Sequence, residues 1–178
     1  MTVKITYFVH SITTDNESGV ATGTLPGELS EEGVRRAEAL KDDIGSRQFD
    51  VVFCSDLHRA VLTADIWFGS GVARQDVRLC ECDYGDMNGG SHSFKDSMTD
   101  FVDTPFPNGE SYRDVERRIA SFLEDVREKY EGKHIAIVAH QAPQLALDVL
   151  LGGKTWKQAI DEDWRKTGAW QPGWEYEV

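Results

Sequence analysis

The sequence predicts a three-layer α/β/α sandwich around a mostly parallel central sheet. Two observations carry that prediction. First, strand-like and helix-like segments alternate along the 178 residues, the pattern of a parallel sheet with helices on both faces. Second, two apolar runs rich in β-branched and aromatic residues, 3–9 and 135–139, each end on a histidine, His10 and His140. Ligands of open α/β sheets bind beyond the carboxyl ends of the strands, so both imidazoles are expected to face one pocket. The chemistry open to such a pair is narrow: nucleophile, general acid or base, oxyanion stabiliser or metal ligand.

The elements follow in order. Residues 3–9 form the first strand, and 11–28 read as a long polar loop punctuated by Gly19, Gly23, Pro26 and Gly27; a loop of that length in a compact domain is usually functional. Ser30 reads as an N-cap, with Val34, Ala37, Leu40 and Ile44 at helical spacing behind it. Residues 51–54 form a short buried strand, and Ser55-Asp56 can cap a helix carrying Leu57, Val61, Ala64 and Phe68. A further strand is expected within 75–82. Residues 85–109 are polar and Gly/Pro-punctuated, weakly helical around 94–101, and suit a lid-like insertion beside the pocket. Ser111 with Asp114 resembles a capping box opening a helix that buries Tyr112, Val115, Ile119, Phe122, Val126 and Tyr130. A helix from about Pro143 to Leu151 follows the second histidine strand, with Pro in its first turn. The Trp-rich tail, 156–174, is expected to pack over the sheet edge, with Trp156, Trp164, Trp170 and Trp174 as packing groups rather than ligand contacts.

Composition narrows the function classes. The chain fits a single domain over 1–178. A net charge of −12, from 31 acidic and 19 basic residues, argues against nucleic acid or an anionic membrane as partner. It also requires a local positive pocket for any anionic substrate. No apolar run is long enough for a membrane span, and a strand beginning at Val3 leaves no room for a signal peptide. Cys54, Cys80 and Cys82 have no disulfide-framework spacing and fit a reducing cytoplasm. Cys80 and Cys82 are too close for the usual zinc knuckle. The tail's apolar residues are a candidate homodimer surface.

Six pieces of the chain stand in order: Val9-His10-Ser11 running on to Asp15-Asn16; Thr22-Gly23 with Leu29-Ser30-Glu31-Glu32-Gly33; Ser55-Asp56-Leu57-His58-Arg59-Ala60 running on to Thr63-Ala64; Leu79-Cys80-Glu81 with Gly85 and Gly89; Phe106-Pro107-Asn108-Gly109-Glu110-Ser111; and Val138-Ala139-His140. Together they resemble the histidine phosphatase superfamily, the phosphoglycerate mutase-like fold. The resemblance implies a phosphomonoesterase. His10 would form a phosphohistidine, and Arg59 and His140 would hold the transferring group. Glu81 would protonate the leaving alkoxide and then activate water. Ser11, Asn16, Thr22 and Gly23 match positions around the phosphate. No metal or organic cofactor is implied, and the partner is a small-molecule phosphomonoester.

Glu81 competes with Asp83 and Asp86, Asn16 and Thr22 can simply cap turns, and His58 and His134 read as surface or structural residues. The chain also departs from the family at one position. The superfamily motif is Arg-His-Gly, and here it is Val9-His10-Ser11. A charge-assisted hydrogen bond contributes about 1.5–3 kcal/mol, so losing a bidentate guanidinium slows turnover by about 10²-fold. Either another cation substitutes (His58, Lys95 and His92 are the nearby candidates), or the substrate differs, or the protein is a weak or silent relative that binds a ligand or partner. A phosphoglycerate-type mutase is disfavoured, because residues 90–107 carry Lys95 and several acids where a mutase needs extra arginines and lysines. A two-histidine metal hydrolase lacks the usual ligand spacings.

Overall fold

In the computed structural model, which describes residues 2–178, the chain runs β1 (Lys4–Val9), α1 (Thr14–Ser18), β2 (Val20–Ala21), α2 (Glu31–Gly45), β3 (Val51–Cys54), α3 (His58–Phe68), β4 (Arg74–Gln75), β5 (Gly90–Ser91), α4 (Tyr112–Lys129), β6 (His134–Ala139), α5 (Gln141–Leu150), α6 (Trp156–Asp161), α7 (Trp164–Thr167) and β7 (Trp174–Glu177). Short 3-10 turns cover Val77–Leu79, Gly85–Met87 and His92–Phe101. The main sheet has the order β4-β3-β6-β1-β7. It is parallel except for β7, which runs antiparallel to β1 at the edge.

The period of two along the strands separates the layers. Ile5, Tyr7, Phe53, Ile135, Ile137 and Ala139 turn to one face, where Val115, Ile119, Phe122 and Val126 of α4 and Leu145 of α5 cover them. Phe8, Val52, Cys54, Ala136 and Val138 turn to the other, against Ala37 and Ile44 of α2 and Ala64 and Trp67 of α3. Burial on both faces is why these strands read as continuous apolar runs. The caps at Ser30 and Ser111 form as read, the latter with both arms of the capping box.

Five local readings need correction. The stretch 11–28 is not structureless: Thr13 and Asn16 form a capping box that nucleates α1, and β2 pairs with β5. Ser55 does not cap α3. Its hydroxyl takes the N–H of Leu57, and the helix begins at His58. The strand expected within 75–82 is a two-residue strand, β4, followed by a 3-10 turn. The helix expected from Pro143 starts at Gln141, directly after the histidine. The tail contributes a strand of its own, β7.

The segment after His10 is clamped between α2 and α3. The Ser11 N–H donates to Thr63 Oγ1 at 3.0 Å and its hydroxyl to the Gly33 carbonyl at 2.7 Å. The Ile12 carbonyl passes so close to Gly33 that a Cβ there would lie 1.9 Å from it. Gly33→Ala is therefore expected to push residues 11–12 off α2, at a cost of about 1–3 kcal/mol. A thermal midpoint unchanged within a degree would contradict this close approach.

Candidate active site

β1 and β6 are adjacent and parallel, with Val9 paired to Ala139. The next residue of each strand is a histidine, so His10 and His140 emerge side by side, ring centroids 5.1 Å apart. The His10 N–H still donates to the Ala139 carbonyl at 3.0 Å, which carries the ladder one residue beyond the strands.

The His10 ring has a defined tautomer. Nδ1 lies 2.7 Å from the Ser11 carbonyl, which can only accept, so Nδ1 carries the proton and Nε2 keeps its lone pair. Burial, then the charge of Arg59, pulls this imidazole down to about 3. At neutral pH His10 is an uncharged imidazole with one nitrogen available as nucleophile.

His140 is fully buried, and neither ring nitrogen has a hydrogen-bond partner among the described residues. Its basicity is held well below the usual histidine range by burial first, then by Arg59 and His10. The backbone around it is fixed by Tyr7, whose hydroxyl donates to the His140 carbonyl at 2.6 Å and accepts from its N–H at 2.9 Å. Burial, reinforced by the charge of Glu81, pushes the Tyr7 phenol far up, so it stays a donor. Tyr7 reads in sequence only as a core aromatic, since its role appears when β1 and β6 are neighbours.

These two histidines set an acid limit on stability. Each takes up a proton near 6.5 when unfolded and excludes it when folded, so the unfolded chain binds more protons below that pH. Their stabilisation is complete above about 6.5 and is lost as pH falls, at roughly 1.4 kcal/mol per pH unit for each fully excluded proton. The thermal midpoint is expected to drop from pH 6.5 to 5, and less steeply in His140→Asn. Equal slopes would contradict a neutral buried His140.

Glu81 sits on the far wall, 6% exposed. Its carboxylate accepts the N–H groups of Cys82 at 2.9 Å, Gln141 at 3.2 Å and Ala142 at 2.9 Å. α5 has no side-chain cap at His140, and Glu81 supplies one from across the cleft, satisfying two of its unpaired N-terminal donors. Arg118 holds this wall: it donates to the carbonyls of Arg78, Cys80 and Glu81 and is paired with Glu110 at 2.9 Å. The Phe-Pro-Asn-Gly-Glu-Ser stretch thus serves the site by anchoring Arg118.

Arg59 is 2% exposed, and its guanidinium donates to the carbonyls of Gly23, Leu25 and Pro26. It binds the 23–26 loop while placing positive charge beside both histidines. Gly23 therefore meets Arg59 through its carbonyl, and the Thr22 hydroxyl donates to Asp15 at 2.8 Å. Asn16 lines the cleft. Its side-chain oxygen is committed to the cap at Thr13, which leaves its NH₂ for a ligand. The Ser11 hydroxyl is engaged by Gly33, as described above.

A cleft of about 270 Å³ is lined by His10, Asn16, Glu81, Lys95, Gln141 and Arg165, with Val9, Ile12 and Trp164; Arg59 and His140 lie behind His10 rather than on its lining, and Ser11, Thr22 and Gly23 do not line it. Of the cations considered as substitutes for the motif arginine, Lys95 reaches it. His58 instead lies 3.3 Å from Glu28, and His92 is exposed beside Gly19. Arg165 and Gln141 were not singled out in the sequence, and no motif or spacing marks them. A second groove of about 460 Å³, mostly apolar, opens on the α2 side of Val9 and His10, between Leu40, Trp67, Trp164 and Trp170. Among the described residues no group of three or more His, Cys, Asp or Glu side chains is placed to hold a metal ion. No helix among them is long and apolar enough to cross a membrane.

Comparison with known proteins gives a consistent picture. Residues 8–172 match the model of the histidine phosphatase superfamily, branch 1. The chain is 29% identical over 175 residues to phosphoserine phosphatase 1 of Hydrogenobacter thermophilus, covering 89% of this chain and 82% of that one. It is 33% identical over 150 residues to the 2,3-bisphosphoglycerate-dependent phosphoglycerate mutase of Rhizobium etli, covering 74% and 71%. Among solved structures, mycobacterial glucosyl-3-phosphoglycerate phosphatase superposes with a TM-score of 0.77 at 25% identity, over 90% of this chain and 84% of that one.

Proposed function

The chain belongs to the histidine phosphatase superfamily, and from that premise we propose that it is a metal-independent phosphomonoesterase working through a phosphohistidine on His10. The observation that carries the proposal is the His10 ring, neutral, with Nδ1 tied to the Ser11 carbonyl and Nε2 left as a nucleophile. Nε2 attacks phosphorus and the ester P–O bond breaks. The departing alkoxide takes a proton from Glu81. Water then attacks the phosphohistidine and gives its proton to Glu81. The P–N bond breaks, returning neutral His10 and inorganic phosphate. Arg59 and His140 stabilise the transferring group: one by charge, the other by a ring nitrogen that none of the described residues engages. Lys95, from within residues 85–109, lines the cleft.

Hydrolysis is favoured over mutase chemistry, although one of the relatives above is a mutase. A mutase holds a carboxylate and two phosphates, and Lys95 is the only Lys or Arg in residues 90–107. Val9 supports a second reading, a silent relative that binds a ligand or partner. Turnover of a panel of phosphomonoesters in EDTA, from pH 5 to 8, separates them. EDTA-resistant turnover supports the phosphatase. Activity that EDTA abolishes would point to a metal hydrolase, and no turnover on any ester to the silent binder.

A further inference from the structure

Val9 removes a guanidinium from the nucleophile motif, yet the cleft is not poor in positive charge. Lys95 enters it from the 92–101 segment and Arg165 from α7, near the other end of the chain from His10. One chain of hydrogen bonds joins them under the cleft. Lys95 Nζ donates to Gln141 Oε1 at 2.8 Å, and Gln141 Nε2 donates to Asp163 Oδ2 at 2.5 Å. The other Asp163 oxygen accepts from the Arg165 guanidinium at 2.9 Å and from its backbone N–H at 3.0 Å. Asp163 is 5% exposed, so it is a buried acceptor whose two oxygens are both committed to seating cleft residues. The Arg165 guanidinium also lies over the Trp164 ring, 4.4 Å from its centroid. Trp164 stacks on Trp174 of β7 and donates to Gln144. The edge strand and the tail thus hold an arginine in the cleft that Val9 and His10 also line.

A guanidinium has five N–H donors, and the contacts to Asp163 and Gln144 involve only its two terminal nitrogens. Held by a buried carboxylate and an indole, it is pre-organised, so little rotamer freedom is lost when it binds an oxyanion. Val9 and Trp164 line this cleft together, so an arginine at position 9 would compete with Arg165 for the same space with the same charge.

We propose that Arg165, seated by Asp163 and Trp164, supplies the guanidinium that clamps the phosphoryl oxygens in place of the motif arginine, with Asp163 as its positioning residue. This rests on the cleft being the phosphoryl-transfer site, and the test keeps the two claims apart. Inorganic phosphate affinity, by calorimetry at low ionic strength, is measured beside kcat and KM for the fastest ester of the panel. Arg165→Ala is expected to weaken phosphate binding and raise KM by about 10–100-fold, with little change in the thermal midpoint. Arg165→Lys recovers only part of this, because an ammonium cannot make the fork. Adding Val9→Arg to Arg165→Ala restores binding, and Asp163→Asn weakens phosphate binding when Arg165 is present but not in the Arg165→Ala background, which a merely structural defect at Asp163 would not allow. Phosphate affinity and KM within twofold of wild type in Arg165→Ala would overturn the proposal, as would a wild-type protein that binds no phosphate. If His10→Ala still turned over, the phosphohistidine reading would fall, and the phosphate affinities would still decide the role of Arg165.

Discussion

His10→Ala is expected to lower kcat/KM for phosphomonoesters by about 10³-fold or more while leaving the fold intact. The fold survives because the strand-end hydrogen bond at this residue, to the Ala139 carbonyl, is made by the backbone. The ring hydrogen-bonds to the Ser11 carbonyl of its own segment and packs beside His140. On the proposed mechanism the substitution removes the nucleophile, and binding to the remaining groups cannot replace covalent chemistry. Quenching the wild-type enzyme during turnover of a ³²P-labelled ester should trap label on the protein. The label should be lost in acid and kept in base, the stability of a phosphoramidate, and be absent from His10→Ala. A variant within tenfold of wild type, or label stable to acid, would show that another group forms the intermediate or that none forms.

Glu81→Gln has the second large effect, and its size should depend on the alcohol released. With an alkyl phosphate the departing alkoxide needs a proton, and loss of the acid is expected to slow turnover by about 10²–10⁴-fold. With p-nitrophenyl phosphate the leaving group departs unprotonated, so the first step survives and only the water step slows. The variant should then release one equivalent of nitrophenolate in a burst and stall as phosphoenzyme. The leaving-group dependence is the informative part, because Glu81 has a structural role as well. Gln sets an NH₂ against the N–H groups of Cys82, Gln141 and Ala142, which costs about 1–3 kcal/mol of stability. A purely structural defect would slow both esters equally and give no burst. That result would assign the proton transfer to another group, with Asp83 and Asp86 the nearest acids in sequence.

Much of this molecule is written locally. The apolar runs at 3–9 and 135–139, the caps at Ser30 and Ser111 and the face of α4 depend on residues within a turn or a strand of one another, and each was legible. The candidate nucleophile was legible for the same reason, since a histidine at the end of a buried strand is a local pattern. Where local signals were weak the reading missed. The Thr13–Asn16 capping box opens a helix of only five residues, too short for a periodic apolar stripe. β7 is a four-residue edge strand with alternating exposure, its pairing decided by β1 and not by its own composition.

By itself, the sequence determined that the chain builds a mostly parallel α/β sheet with a histidine at each of two strand ends, and that Val9 stands where the family motif has an arginine. Only the tertiary structure decided that β1 and β6 are neighbours in register, which makes the two histidines a pair. The same holds for Tyr7 and Glu81, which meet α5 only once the sheet order is set. It decided, too, that Arg165, from the far end of the chain, lines the cleft together with Lys95. The physical reason is common to all three. Periodicity and caps record interactions between residues a few positions apart, whereas sheet order and charge convergence depend on crossovers, whose outcome no local pattern contains.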